Sequence, residues 1–217
     1  MDLEPITRES KKAKVREAII NAAIALFEQH GYEQTTVRMI AAAAEVSPRT
    51  FFRYFPTKDL VVFPLHSSYV AEFKDLLSEK RPGQNPLETV RFGLSEMARL
   101  YQESAKEHLR YQRIISSSPN TLARSIQFDS DWENAIADVW KASCDLTDRQ
   151  VHQANLIAGI IMGAIHVVME KWYSDGCRED LSEMGETALD FVENGILENR
   201  LIYKAETVGK TKKGRAS

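Results

Sequence analysis

Between residues 47 and 58 the chain reads SPRTFFRYFPTK, bringing Ser47, Pro48, Arg49, Thr50, Phe52, Arg53, Tyr54 and Lys58 close together. Arginine offers a fork of donors that fits guanine O6 and N7, threonine serves several base edges, and an apolar ring packs on a thymine methyl. Lysine, tyrosine and arginine also suit phosphate oxygens, which fix orientation rather than sequence. Such a set reads a duplex when a short rigid element presents it. No other chemistry is gathered as densely. His166 and Glu170 lie four apart, on one helical face, but no third ligand accompanies them, and a histidine paired to a carboxylate is the expected arrangement. His66, His108 and His152 form no cluster. No nucleophile–base pair, glycine-rich phosphate loop or cysteine-based zinc pattern is present. No catalytic residue, metal or cofactor is therefore expected.

The elements that must hold the basic-aromatic stretch are legible around it. Residues 36–55 read TVRMIAAAAEVSPRTFFRYF. A slim alanine segment lets one helix cross another closely. Thr36 caps that segment, with Met39, Ile40 and Ala43 facing the core and Val46 plugging the turn. Ser47-Pro48 starts the next helix, proline standing in the first turn, where its missing N–H costs nothing. Phe51 and Phe55, four apart, share a face and anchor it. A helix this short is unstable alone, so the two anchors hold it and the remaining side chains turn outward. This predicts a helix-turn-helix whose second helix enters a major groove. Arg49 and Thr50 are the expected base readers; Thr36, Arg38, Tyr54 and Lys58 are the expected phosphate contacts. The basic start, Arg8, Lys11, Lys12, Lys14 and Arg16, reads as a solvated face or as an arm on the phosphates.

The segment resembles the TetR family of transcriptional regulators. Thr36, Ile40, Ala41, Ala44, Val46, Ser47, Thr50, Tyr54, Phe55 and Lys58 match that family's pattern at fixed spacing. Ala23, Phe27 and Gly31-Tyr32 resemble its first helix and that helix's end, so the likeness covers about residues 12–72. Two departures stand out. Glu45 occupies the turn position where the family usually has glycine; if it keeps a left-handed backbone, the strain costs about 1 kcal/mol. Arg49 stands where a second glycine is common. The resemblance implies a homodimer on a two-fold DNA operator, function as a repressor, and a body that encloses a small, mostly apolar effector.

The chain has 217 residues and a formal net charge of −3, unevenly spread. Residues 7–58 carry a cationic surplus of four, residues 59–203 an anionic surplus of nine, and residues 204–217 a cationic surplus of four. A basic head on an acidic body suits a module that meets phosphates at one end. The polar, charged start shows no secretory signal, and Cys144 and Cys177 lack close spacing, which predicts free thiols in a reducing cytoplasm. The apolar run Leu156–Met169 is too short to span a bilayer. Two other classes stay open at this stage: an all-α interaction module without DNA, and a helical metal or redox enzyme.

Helical periodicity and caps predict an all-α chain of about nine helices. A three-helix DNA-binding domain spans 12–72, with the helix-turn-helix at 36–55; a helical ligand-binding and dimerisation domain spans 73–203; and a basic, disordered tail spans 204–217. A helix starting near Thr57 is predicted to run to about Lys80, bent by Pro64. Asp129-Ser130-Asp131 is a candidate break or bend. Phe63, His66, Tyr69, Phe92, Tyr111, Trp140, Met162 and His166 are the candidate effector wall, within a wider set that includes Tyr101, Trp132 and Trp172. By resemblance, residues 153–172 and 181–198 form the subunit interface, through Gly159, Gly163, Val167, Met184, Ala188, Phe191 and Val192.

Overall fold

The computed structural model describes residues 8–79, 85–142 and 146–198. They form nine α-helices and one 3₁₀ helix, with no strand among the described residues. The tail, the Pro82-Gly83 break and Cys144 lie outside them. In order the helices are α1 (Arg8–His30), α2 (Val37–Ala43), α3 (Pro48–Tyr54), the 3₁₀ helix (Asp59–Val62), α4 (His66–Ser78), α5 (Pro86–Glu103), α6 (Ala105–Ser116), α7 (Pro119–Lys141), α8 (Asp148–Ser174) and α9 (Leu181–Glu198).

Local sequence sets most of the helix starts. Thr36 accepts from the Met39 N–H, and Ser47 accepts from the Thr50 N–H at 3.0 Å. Asn85 with Glu88, and Thr147 with Gln150, close reciprocal capping boxes. Gly31, at φ 80°, ends α1 in the left-handed conformation that glycine adopts without penalty. Glu45 takes that conformation too, at φ 54°.

Three expectations about the helices are corrected. The helix predicted from Thr57 to Lys80 is two separate elements. Pro64 supplies no N–H and crowds the residue before it, so Phe63 leaves the helical region (φ −119°, ψ 54°) and α4 starts afresh at His66. The Pro64 carbonyl accepts from Arg16 Nη2 at 2.6 Å. Asp129-Ser130-Asp131 does not break the chain: α7 continues through it, and the two carboxylates serve as partners for histidines. In α2, Ala41 is buried and Ala44 packs on the core, while Ala43 is exposed and Met39 half-buried. The close crossing is made one residue away from where it was expected.

Two apolar cores result. The first joins Ile19, Ala23, Phe27, Ile40, Phe51 and Phe55 to Val61 and Val62, and it also takes in Tyr111 and Ile114 from α6. Phe51 is completely buried. Truncating such a phenylalanine to alanine costs about 3–5 kcal/mol, a large share of the ~5–15 kcal/mol that holds a domain together. The second core packs Phe73, Val90 and Met97 against Ile136, Ile161, Met162 and Leu189. α8 extends well beyond its apolar run, to 27 residues, and is long and apolar enough to cross a membrane by length and composition alone. Here it packs between α7 and α9, with Trp172 fully buried.

Ion pairs and hydrogen bonds tie the two cores together. Arg110 on α6 grips Glu28 on α1 with two bonds of 2.8 Å. Ser118 and Asn120, at the start of α7, both donate to Glu33. Arg124 on α7 pairs with Asp59 on the 3₁₀ helix. At the far side of the body, Arg91 on α5 holds Glu186, Asp190 and Glu193 of α9 within 2.6–2.8 Å.

Candidate nucleic-acid interface and effector cavity

α3 is pinned by Phe51 and Phe55, whose rings lie 5.9 Å apart. Its other faces look outward. Arg49, Phe52 and Arg53 are exposed, Phe52 leaving half of its surface to solvent (50%). Thr50 is half-buried, its hydroxyl 2.9 Å from that of Ser47, and Arg53 lies over the Tyr54 ring. Arg38 is exposed on α2. Among the described residues no carboxylate pairs with Arg38, Arg49 or Arg53, whereas Arg91, Arg99, Arg110 and Arg124 are all ion-paired. These cations of the helix-turn-helix are thus exposed and free of carboxylates.

Lys58 behaves differently from the sequence expectation. Its ammonium turns inward, donating to the carbonyls of Tyr32 at 2.7 Å and Thr35 at 3.0 Å, and sits 3.9 Å from the centre of the Tyr32 ring. Thr35 is itself fully buried and donates to the carbonyls of Gly31 and Leu26. Together Lys58 and Thr35 tie the loop between α1 and α2 back onto the end of α1. Two of the three lysine donors are spent inside the protein, so Lys58 staples the chain that follows α1.

Behind this head, helices α4 to α9 and the break before α4 line a half-open cavity of about 990 Å³. Phe63, His66, Tyr69, Tyr111, Met162 and His166 line it; Phe92 and Trp140 do not. Trp140 packs in the second core instead. Trp172 is also away from the cavity and donates to the Glu179 carbonyl. The sequence reading missed His108, Asp129 and Tyr173 on the wall. Helical spacing shows which residues share a face of one helix, but not which faces of different helices converge.

Each of the three histidines on the cavity wall has its own partner. His66 meets Asp131 at 2.8 Å and stacks on Phe128, ring centres 3.9 Å apart. His166 pairs with Asp129 at 3.0 Å, not with Glu170. His108 lies 3.2 Å from the Tyr69 hydroxyl, and burial pushes it down to about 4, so it is neutral at pH 7. Burial raises the Asp129 carboxyl above its ordinary range, against the lowering effect of His166. No group of three His, Cys, Asp or Glu side chains placed to hold a metal occurs among the described residues.

Comparison with known proteins decides the lineage. Residues 19–63 match the family model "Bacterial regulatory proteins, tetR family", and residues 84–197 match "MftR C-terminal domain". The transcriptional regulator TcmR of Streptomyces glaucescens is 31% identical over 196 residues, covering 86% of each chain. The chain belongs to the TetR family of transcriptional regulators. Solved TetR-family structures share its fold. Thermus thermophilus FadR, in complex with lauroyl-CoA, superposes with a TM-score of 0.54 at 23% identity, over 89% of this chain and 99% of that one. SmeT in complex with triclosan reaches 0.61 at 18% identity, over 83% and 90%.

One surface of this TetR-family chain is left apolar. On α8, Leu156 (56%), Ile160 (51%) and Val167 (68%) are exposed, in line with exposed Gly159 and Gly163. Of the α9 residues expected beside them, Met184 and Phe191 are half-buried. Ala188 lines the cavity and Val192 packs in the second core. Val192 is half-buried there, like Phe191.

Proposed function

We propose that this TetR-family regulator is a cytoplasmic repressor that binds a near-palindromic DNA operator as a homodimer and is released by a small, mostly apolar ligand. The observation that carries the reading is the set of free cations on the helix-turn-helix: Arg38 on α2, and Arg49 and Arg53 beside exposed Phe52 on α3, which Phe51 and Phe55 anchor. Unpaired arginines are available to phosphates and to guanine, while the paired arginines of the body are not. In this reading residues 12–72 read DNA, and residues 73–203 bind the ligand and the second subunit. The exposed stripe from Leu156 to Val167 is apolar surface that a second copy would cover.

The cavity has a direct route to the head. Phe63 and His66 flank the Pro64 break, and both line the cavity. A ligand lodged against them shifts the junction between the 3₁₀ helix and α4, and with it the separation of the two α3 helices in the dimer. FadR and SmeT, whose folds are similar, were solved with lauroyl-CoA and triclosan respectively, which supports a small-molecule site in this body.

The test is selection of bound fragments from genomic DNA by the purified full chain, followed by footprinting and titration in increasing salt. A protected two-fold site, with half-sites about one helical turn apart and affinity falling steeply with salt, is the expected result. Failure to enrich any fragment over scrambled DNA overturns the reading.

A further inference from the structure

The polar groups of the cavity wall are selective. Tyr69, Tyr101, Tyr173 and His108 all line it. Tyr69 and His108 satisfy one another. The Tyr101 ring lies flat on His108, centres 4.1 Å apart and planes 7° apart. The hydroxyls of Tyr101 and Tyr173 have no hydrogen-bond partner among the described residues. No described side-chain N or O sealed from solvent lacks a partner, so neither hydroxyl is sealed off, and both belong to residues of the cavity wall. Burial raises both phenols above their ordinary value, which keeps them protonated and leaves each with a hydrogen to donate. A donor facing a largely apolar hollow is costly until an acceptor meets it.

Charge on the sheltered part of the wall is spoken for. No lysine lines the cavity. Arg91 is bound by three carboxylates of α9, and Arg113 is exposed. Inward-facing Asp129 is matched by His166. Anionic groups such as the phosphates of a nucleotide thioester need uncommitted cations, and a ligand cation needs an unmatched carboxylate or an unoccupied one. Neither is offered away from the solvent-exposed rim, where Arg113 and Glu170 stand without an ion-pair partner among the described residues. What the wall offers is flat rings, in the stacked pairs Tyr101 with His108 and His66 with Phe128, and two phenolic donors.

Taking the cavity as the effector site, we propose that its ligand is an uncharged, flat, ring-based molecule bearing two carbonyl or ether oxygens, which accept hydrogen bonds from Tyr101 and Tyr173 while its rings pack among the aromatic side chains. The volume accommodates a molecule of drug-like size.

The experiment is calorimetric titration of the full chain, without DNA, using three probes: flavone, which is flat and neutral with a carbonyl and a ring ether; lauroyl-CoA, which carries phosphates; and tetraphenylphosphonium, an apolar cation. Flavone is expected to bind at least tenfold more tightly than either of the others. Tyr101→Phe and Tyr173→Phe are each expected to weaken it about three- to tenfold, while leaving the melting temperature of the empty protein in place. Tighter binding of lauroyl-CoA or of the cation overturns the proposal. So does an absence of flavone binding, or flavone binding indifferent to both substitutions. Because no DNA is present, the outcome is separable from the regulator reading: a chain that protects an operator but ignores flavone loses only the ligand class, and one that binds flavone but no operator loses only the regulator.

Discussion

The Lys58 ammonium sits 3.9 Å from the centre of the Tyr32 ring and donates to the Tyr32 carbonyl at 2.7 Å. This places a cation of the DNA-binding head in a structural position. Lys58→Ala is therefore expected to destabilise the head by about 1–3 kcal/mol, through lost charge-assisted hydrogen bonds and cation–π contact. The salt dependence of operator binding should stay close to that of the wild type. Chemical denaturation and titrations at several salt concentrations check both. A slope flattened by about one unit, with stability unaltered, returns Lys58 to the phosphates.

Arg49 is expected to be the specificity determinant. Arg49→Ala should cost about 1–3 kcal/mol on the matched operator and much less on scrambled DNA, if its fork holds a guanine. Equal losses on both sequences would reassign it to the backbone.

Glu45 stores strain at the turn. It holds φ 54° with an exposed side chain. Glu45→Gly should raise stability by about 0.5–1 kcal/mol, the left-handed penalty outweighing the extra freedom glycine gives the unfolded chain. The denaturant midpoint measures this, and a lower midpoint shows that the glutamate side chain contributes something unseen.

Gly163 separates subunit fold from assembly. A Cβ placed there meets nothing within 4 Å in its own chain. Gly163→Glu should leave helicity intact and yield monomers in sedimentation, with operator affinity greatly reduced, since one half-site supplies only part of the contact. An unaltered dimer places the interface elsewhere.

His108 gives the protein an acid-sensitive body. Its folded value is pushed from 6.5 down to about 4 by burial. Between those values the unfolded chain takes up a proton that the folded chain refuses. The contribution is therefore fully present above about 6.5 and is lost as pH falls toward about 4. His108→Gln should flatten the stability profile across that window. Melting temperatures measured at half-unit steps of pH test it; parallel curves for the two proteins would assign the acid sensitivity to other groups.

What could be read from the sequence was local. Ser47 with Pro48, Asn85 with Glu88, and Thr147 with Gln150 each cap a helix through neighbours three residues away, so their spacing announces the geometry. Phe51 and Phe55 share a face for the same reason, and Glu45 betrays its backbone because it occupies a turn position that favours glycine. What escaped depended on distant partners. Lys58 finds its acceptors at Tyr32 and Thr35, and His66 finds Asp131 65 residues away. Pro64 was read as a bend because the apolar pattern continues past it; the structure breaks the helix there because Phe63 leaves the helical region. Phe92 and Trp140 were expected on the cavity wall from ring type alone, which says nothing of direction.

Tyr111 and Ile114 belong by sequence to the body, yet they complete the core under the DNA-reading helices. The head is thus not a detachable part. A fragment ending before α6 would lack one wall of its own interior and expose Phe27 and its neighbours to water. Grafting this head onto another regulator's body requires carrying that wall with it, or finding a body whose corresponding helix offers side chains of the same bulk.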